Sequence, residues 1–348
     1  MAEFKTVALY YEYFTFKENE DGQTVTLTDY KPSLSNSTDV TIPATVDLVD
    51  GVWQDGTTYT VTAIASVSSY SNGVFYDSGI TSVTFPSSLT SIGRYAFYSC
   101  SGLTGVDLSN CTSLTSIGIS AFYSCSGLTG ELNLGECTSL TSIGDYAFYR
   151  CRGLTGELNL GGCTSLTSIG SQAFNGCSGL IGELNLGGCT SLKAIGSSAF
   201  SGCSGLTSIS LPSSLTSIGI YAFEDCSGLT GELNLGECTS LTSIGYGAFN
   251  GCSGLTGELN LGGCTSLTSI GEFAFDDCSG LTGELNLGEC TSLTSIGDYA
   301  FYRCRGLTGE LNLGGCTSLT SIGSQAFNGC SGLTGELNLG GCTSLTSI

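Results

Sequence analysis

The sequence predicts a β-rich solenoid of stacked coils, and two observations carry this prediction. The string IGxxAFxxC recurs with spacings of 25, 26, 26, 26, 23, 26, 26, 26 and 26 residues. It begins at Ile92, Ile117, Ile143, Ile169, Ile195, Ile218, Ile244, Ile270, Ile296 and Ile322. In addition, Cys125–Leu180 and Cys278–Leu333 are the same 56 residues, displaced by 153. Repeats of this length stack on one another and share one continuous core.

Each repeat contains two short segments with the apolar alternation of β-strands. In the unit LTGELNLGGCTSLTSIGSQAFNGCSG, the first segment is LTGELNL, with Leu158 and Leu160 on one face, and the second is LTSIG. GGCTS between them has the residues of a turn. SQAFNGC spaces Ala173, Phe174 and Cys177 over about one turn of helix. We therefore predict strand, turn, strand and short helical turn in every coil.

The two ends of the chain differ from the repeats. Residues 1–70 lack the period and contain alternating runs around an Asp21-Gly22 turn, which predicts a β-rich N-terminal cap over the first coil. Residues 71–348 form the tandem repeats of 22 to 26 residues. The array stops at Ile348 within a coil, without a C-terminal cap. We expect either a fragment of a longer protein or an end that a partner molecule covers.

The charge excludes some classes of partner. The chain has 30 acidic and 9 basic residues, a net charge of -21, which repels nucleic acid and anionic membranes. No apolar run is long enough to span a bilayer, so we predict no membrane insertion. The run in MAEFKTVALYYEYF is too short for a signal peptide, which again favours a fragment or a chain lacking its leader.

Several repeats carry the pattern of a known family. The units LTSISLPSSLTSIGIYAFEDCSG and ITSVTFPSSLTSIGRYAFYSCSG, with VTIPATV and TTYTVTAIA before them, resemble BspA-like (Treponema pallidum type) leucine-rich repeats of bacterial surface proteins. The resemblance covers roughly residues 40–348. It implies a curved, right-handed leucine-rich-repeat solenoid with a parallel β-sheet. It also implies an extracellular or cell-surface protein that binds host matrix proteins or other cells. The GELNLGGCTS segment is longer than the family's common 23-residue unit.

The 19 cysteines fall into two rows, one in the AFxxC segment and one in the GGC or GEC turn. Equivalent residues of stacked coils lie about 4.8 Å apart, but their parallel Cβ vectors oppose a disulfide. The pattern favours buried free thiols that pack the turns, with disulfides or a redox site as the alternative. A zinc site is disfavoured because the sequence has no histidine and no CxxC pair.

A double row of polar residues is predicted on the outward face of the LTGELNL strands. It consists of Glu131, Glu157, Glu183, Glu232, Glu258, Glu284, Glu310 and Glu336, with Asn133, Asn159, Asn185, Asn234, Asn260, Asn286, Asn312 and Asn338. Neighbouring carboxylates repel by roughly 1 to 3.5 kcal/mol per pair. Salt can screen them, or the oxygens can bind calcium or a basic or hydroxyl-rich ligand. Ser208 and Ser210 interrupt both rows.

A third feature combines tyrosine and arginine in the variable positions of the AFxxC segment. Its members are Tyr98, Tyr123, Tyr149, Arg150, Arg152, Tyr299, Tyr302, Arg303 and Arg305. Exposed Tyr and Arg are typical of interaction hot spots, although variable solvent-facing residues give the same pattern.

The sequence does not favour an enzyme. The chain has no histidine to act as a general base and no G-x-S-x-G, G-x-G-x-x-G or phosphate-binding loop. We therefore expect a non-catalytic module for protein binding or cell adhesion, without a cofactor, whose protein or glycan ligand contacts the Glu/Asn face. The alternative is a structural spacer or scaffold that self-associates through its C-terminal coil.

Overall fold

The computed structural model describes residues 9–11, 14–32, 38–47 and 58–348. Its N-terminal strands are β1 Leu9–Tyr11, β2 Phe14–Glu18, β3 Thr24–Tyr30, β4 Asp39–Thr41, β5 Thr45–Asp47 and β6 Thr58–Ile64. The rest of the predicted cap lies outside the described residues.

Antiparallel pairing dominates these first strands. β1 pairs with β2, β2 with β3, and β5 with β6. The predicted turn connects β2 to β3: Gly22 has a φ of 65°, and Asp21 Oδ1 accepts hydrogen bonds at 2.9 Å from the backbone amides of Gln23 and Thr24. Phe16 and Val25 point inward and are fully buried. β6 runs parallel to β3 and continues the pairing into the repeats.

The repeats supply the remaining strands and a short 3-10 helix, Tyr70–Asn72. These strands are β7 Ser82–Thr84, β8 Ser91–Ile92, β9 Gly105–Asp107, β10 Ser116–Ile117, β11 Gly130–Asn133, β12 Ser142–Ile143, β13 Leu154–Asn159, β14 Ser168–Ile169, β15 Gly182–Asn185, β16 Ala194–Ile195, β17 Leu206–Ser210, β18 Ser217–Ile218, β19 Ser243–Ile244, β20 Ser269–Ile270, β21 Ser295–Ile296 and β22 Ser321–Ile322.

A sheet of fifteen described strands runs the length of the molecule. It follows the order β1-β2-β3-β6-β8-β10-β12-β14-β16-β18-β19-β20-β21-β22, with β5 beside β6. Each LTSIG strand is parallel to the next and in register with it, so that Ile117 lies beside Ile143. This register places one buried isoleucine per coil on the inner face. The predicted solenoid with a parallel sheet is confirmed.

The AFxxC segment is a series of turns and not the predicted helical turn. Tyr98 N bonds to Tyr95 O within its own coil at 3.2 Å, whereas Phe97 N bonds to Ala121 O of the next coil at 2.7 Å. Tyr95 and Ser99 have φ values of 62° and 60°. The amides of Tyr95, Phe97 and Ser99 bond to the next coil, whereas the amides between them bond within their own coil, so alternate amides point to the neighbouring coil. A helix would use these amides internally and would not join the coils.

The core is built from ladders of identical side chains. Phe75, Phe97, Phe122, Phe148, Phe174, Phe200, Phe223, Phe249, Phe275, Phe301 and Phe327 form one continuous stack, with successive ring centroids 4.6 to 5.4 Å apart and interplanar angles of 2 to 8°. Each ring between Phe75 and Phe327 is covered on both faces by the coils before and after it. Stacking therefore buries what a single coil leaves exposed.

The second row of strands forms two shorter sheets, β4-β7-β9 and β11-β13-β15-β17. Coil length explains why they are separate. The apolar positions that flank β9, Leu103 and Leu108, are five residues apart, whereas those that flank β11, Leu128 and Leu134, are six apart. The extra residue is accommodated at Gly130, which has a φ of 78°. β9 and β11 therefore do not match in register, and no ladder joins them in the described structure.

The difference in length between successive coils has a second effect further along the chain. β15 pairs with β17, which belongs to the shorter coil, through an irregularity between Gly182 and Glu183. β17 then ends its sheet, and isolated bridges continue from Asn234 and Asn260. The pairing therefore tolerates a change from a long coil to a short one but breaks where a short coil precedes a long one.

Candidate binding surfaces

The first three predicted glutamates lie on the outward face of β11, β13 and β15, and the other five lie in segments that pair only through isolated bridges. We call all eight the glutamate row: Glu131, Glu157, Glu183, Glu232, Glu258, Glu284, Glu310 and Glu336. Every one of these side chains is exposed. Strand alternation causes this, because the neighbouring Leu158 and Leu160 point into the core beside Glu157. No ion pair involves the glutamate row in the described part of the chain.

A glycine makes room for the side chain of most of these glutamates. A Cβ at Gly182 would come within 2.9 Å of Glu157 Oε1, and one at Gly257 within 2.4 Å of Glu232 Cγ. Both glycines also have a positive φ, 77° and 78°. The positive φ of these glycines thus sets the local course of the backbone, and the missing side chain leaves space for the Glu side chain of the preceding coil.

The asparagine side chains form hydrogen bonds within the protein. Asn159 Nδ2 donates to Asn133 Oδ1 of the preceding coil at 3.2 Å, and the pairs Asn234/Asn260 and Asn312/Asn338 repeat this bond at the same distance. Each Asn Oδ1 also accepts the backbone amide two residues later, as Asn133 does from Gly135 N at 3.0 Å. The asparagine oxygens are therefore already occupied. The pattern of one Asn before each GG or GE turn was the available sign of this role.

The two interrupting serines lie where the structure changes its pairing. Ser210 Oγ donates to Asn185 Oδ1 at 3.0 Å, so the hydroxyl takes the place of the missing amide. Ser208 pairs in register with Glu183. The two halves of the glutamate row lie on either side of this coil.

The described residues contain no group of three or more His, Cys, Asp or Glu side chains that could hold a metal ion. The glutamate row supplies one carboxylate per coil, and the asparagine oxygens between them are already bonded. Calcium therefore has no ready ligand set along these strands.

The predicted tyrosines of the first repeats form a stack. Ring centroids are 4.6 Å apart for Tyr98 and Tyr123 and 4.8 Å apart for Tyr123 and Tyr149. Arg150 places its guanidinium carbon 5.0 Å from the centroid of Tyr149, which favours a cation–π contact. Arg152 is exposed and makes no ring contact in the described structure.

The later copy of this sequence gives a smaller cluster. Tyr299 meets Tyr302 edge-on at 5.3 Å, and the guanidinium carbon of Arg303 lies 4.9 Å from the ring centroid of Tyr302. Arg305 is exposed beyond them. Together the two clusters form what we call the turn patch.

Sequence reasoning missed part of the first cluster. Tyr70 stacks on Tyr98 with a centroid distance of 5.1 Å, and Tyr95 carries Arg94 over its ring at 4.6 Å. Tyr76 also adjoins Tyr98, at 6.1 Å. The missed signal was VFYDSG, a degenerate copy of AFYSCSG that begins the stack one coil earlier.

The nineteen cysteines are free and buried in the structure, as the sequence favoured. Their thiols donate to carbonyl oxygens of the preceding coil, as Cys151 Sγ does to Phe122 O and Cys163 Sγ to Leu134 O, both at 3.1 Å. Burial raises the pKa of Cys163 to about 12 and that of Cys151 well above its ordinary value. Cys151 and Cys163 therefore pack turns and are poor nucleophiles.

Comparison with protein families decides the classification. The family model for the BspA type leucine rich repeat region matches residues 33–155, 132–256 and 258–348. The chain belongs to this family. BspA-type repeats form a solenoid that is typically non-catalytic, and the resemblance noted from the sequence is confirmed.

Solved structures of bacterial leucine-rich repeat proteins are similar to this BspA-type chain. One from Bacteroides ovatus is 24% identical over 92% of each chain, with a TM-score of 0.42. A leucine rich cell surface protein from Faecalibacterium prausnitzii is 23% identical over 96% of this chain and 95% of its own, with a TM-score of 0.40. The leucine rich repeat protein of T. pallidum is 22% identical over 79% and 91%, with a TM-score of 0.38. Comparison with curated proteins gave no match.

In the part of the chain that the structure describes, no helix is long and apolar enough to cross a membrane.

Proposed function

We propose that this BspA-type protein is a non-catalytic adhesion module at the cell surface that binds a basic segment of a protein ligand along the glutamate row. The observation that carries this proposal is the repetition of one exposed carboxylate in each of eight coils, none of which forms an ion pair in the described structure. Family membership and the surface proteins of similar fold support the location.

The electrostatics of the row favour such a ligand. Carboxylates of adjacent coils lie about one strand spacing apart, so each repels its neighbours. Basic side chains that lie between them relieve this repulsion, and the net charge of -21 steers a basic ligand towards the protein. Several weak contacts along one row also reinforce each other once the first has formed. An aminated glycan would use the same charges.

The binding test uses a twelve-residue lysine-rich peptide, titrated calorimetrically into the intact chain. Changing Glu157, Glu183 and Glu258 together to Gln should weaken binding about tenfold, because each exposed charge pair contributes up to about 1 kcal/mol. The matched control changes Glu136, Glu237 and Glu289, which lie in GEC turns, to Gln. This control removes the same total charge and should weaken binding less than about twofold. Equal losses in both variants would show that only net charge matters.

A second candidate function follows from the C-terminal coil. Its Leu337 and Ile348 are 51% and 78% exposed, although their equivalents in other coils are buried. Any coil that continues the ladder here would cover them, including one from a second copy. Light scattering over a range of protein concentrations tests this scaffold function: reversible growth in mass that stops in the Leu337→Ser variant supports it, and a constant monomer mass contradicts it.

The turn patch offers a surface of opposite charge. Five of the six basic residues after residue 31 are arginines within or next to the AFxxC segments. We propose that these arginines and their tyrosines contact acidic groups of a ligand, as Tyr and Arg do at many interfaces.

A further inference from the structure

The break between β9 and β11 opens a cleft of about 400 Å³ on the face that carries the glutamate row. The coils remain joined on both sides of it: Thr129 N bonds to Thr104 O at 3.0 Å, and Cys137 Sγ donates to Leu108 O at 3.5 Å. The cleft is therefore a local gap in a continuous stack. It exists because a 25-residue spacing is followed by one of 26.

The floor of the cleft is apolar. Val83 is buried, and Val106 is only half-buried, whereas the equivalent Leu132 and Leu158 in the longer coils are covered. Gly105 adds space, because a Cβ built there would meet no heavy atom within 4 Å. The missing ladder thus leaves part of the core surface accessible.

The rim of the cleft is acidic. Asp107 and Glu131 contribute carboxylates from its two sides, and Ser82 and Thr129 contribute hydroxyls. Asp107 Oδ1 accepts hydrogen bonds from Ser109 N at 3.0 Å and Ser109 Oγ at 2.6 Å, which fix the carboxylate. These bonds, the hydroxyl first, lower the pKa of Asp107, so that it is charged at neutral pH.

We propose that this cleft is the anchoring site of the protein ligand and takes one lysine or arginine side chain. The aliphatic stem packs on Val83 and Val106, and the cationic head reaches Asp107 and Glu131. A long side chain with an apolar stem and a charged end matches an apolar floor with an acidic rim. This inference rests on the proposed function, because it names the first contact of the same basic ligand.

The cleft also differs from the rest of the row in a way that favours specificity. Along β11, β13 and β15 the outward carboxylates lie over a continuous ladder, so a ligand can slide from coil to coil there without changing its contacts. At the break, one side chain can enter below the surface. An anchor at this point would set the register of the whole ligand.

The test uses the full chain with isotope-labelled valine methyl groups and N-acetyl-arginine methylamide as the probe. Saturable chemical-shift changes are expected at Val83 and Val106. The neutral isostere N-acetyl-citrulline methylamide should bind at least about tenfold more weakly, since it keeps the stem but lacks the charge. Equal shifts with both probes, or shifts with neither, would overturn the proposal.

Two variants separate charge from shape. Asp107→Asn should weaken arginine binding about tenfold, and Gly105→Leu should abolish it by filling the cleft. Gly79→Leu is the matched control, because a Cβ at Gly79 likewise meets nothing within 4 Å and Gly79 does not line the cleft. Arginine binding that is unchanged in the Gly105→Leu variant would overturn the anchoring site. A methyl spectrum like that of the unaltered chain shows that each variant is folded.

The two proposals can fail separately. If the lysine-rich peptide responds to the Glu157, Glu183 and Glu258 changes but Val106 stays silent with arginine, the glutamate row stands and the anchor falls. If Val106 responds to arginine but those changes leave peptide binding unaltered, the anchor stands and the extended row falls.

Discussion

One stretch of sixteen residues occurs four times in the chain, and two of its copies have different neighbours. Leu154–Ile169 and Leu333–Ile348 both read LTGELNLGGCTSLTSI. In the first copy Leu158 and Ile169 are each 1% exposed, whereas their counterparts Leu337 and Ile348 are 51% and 78% exposed. The local sequence is identical, so the burial is supplied by the coil that follows. A coil of this solenoid is half of an interface that its neighbour completes.

The strand pairing shows the same difference, whereas the bonds to the preceding coil are alike in both copies. Asn159 bonds through its side chain to Asn133, Asn338 bonds in the same way to Asn312, and the backbone oxygen of each accepts an amide of the preceding coil. Asn159 also pairs with Asn185 of the following coil, and Asn338 has no such neighbour in the described structure. Stability should therefore fall towards the last coil even though the sequence does not change.

The largest expected contrast is between two leucine deletions. Leu158→Ala should lower the free energy of unfolding by about 2 to 5 kcal/mol, since it removes a fully buried side chain from the shared core. Leu337→Ala should cost less than about 1 kcal/mol, because half of that side chain already contacts water. Urea denaturation followed by circular dichroism measures both. Equal costs would mean that burial is not set by the neighbouring coil.

A smaller contrast is expected in thiol reactivity. Burial raises the pKa of Cys163 to about 12, so its thiolate is scarce at pH 8, whereas the equivalent Cys342 lies in the terminal coil with a less strongly buried thiol. Iodoacetamide should label Cys342 at least about tenfold faster than Cys163, as followed by peptide mass spectrometry. Raising the pH towards the pKa should speed labelling of both. The denatured chain is the control, in which the two rates should become equal, and equal rates in the folded chain would contradict the prediction.

How much the sequence predicts depends on whether a feature repeats. The LTSIG strands, the buried isoleucines and the free thiols follow from a pattern that ten units share, because identical coils must stack in register. The other predicted strand, LTGELNL, is reduced to isolated bridges in the later coils. The turns of the AFxxC segment were predicted as helical, since residue spacing within one coil does not reveal bonds to the next. Bonds such as Phe97 N to Ala121 O become visible only when two coils are placed together.

The candidate sites show the same limit. The outward direction of Glu157 follows from strand alternation alone. The role of Asn159 does not follow from alternation, because its hydrogen-bond partners are Asn133 of the preceding coil and Gly161 of the following turn. The cleft between β9 and β11 depends on the difference in length between successive coils. The unequal spacings were visible in the sequence, but their consequence for pairing required the register of both strands.

The smallest contrast concerns backbone conformation. Gly176 and Gly329 occupy the same position of the copied NGC segment, with φ values of 71° and 83°. Gly176→Ala should cost about 1 kcal/mol, because an L-residue is disfavoured in the left-handed region, and its Cβ would meet only Arg150 Cγ at 3.6 Å. If the last coil opens before the rest, Gly329→Ala should change the global free energy of unfolding by only about 0.3 kcal/mol. Hydrogen exchange of the Cys177 and Cys330 amides reports on each coil separately. If both variants exchange faster and lose the same global free energy of unfolding, the last coil unfolds together with the central ones and the prediction is wrong.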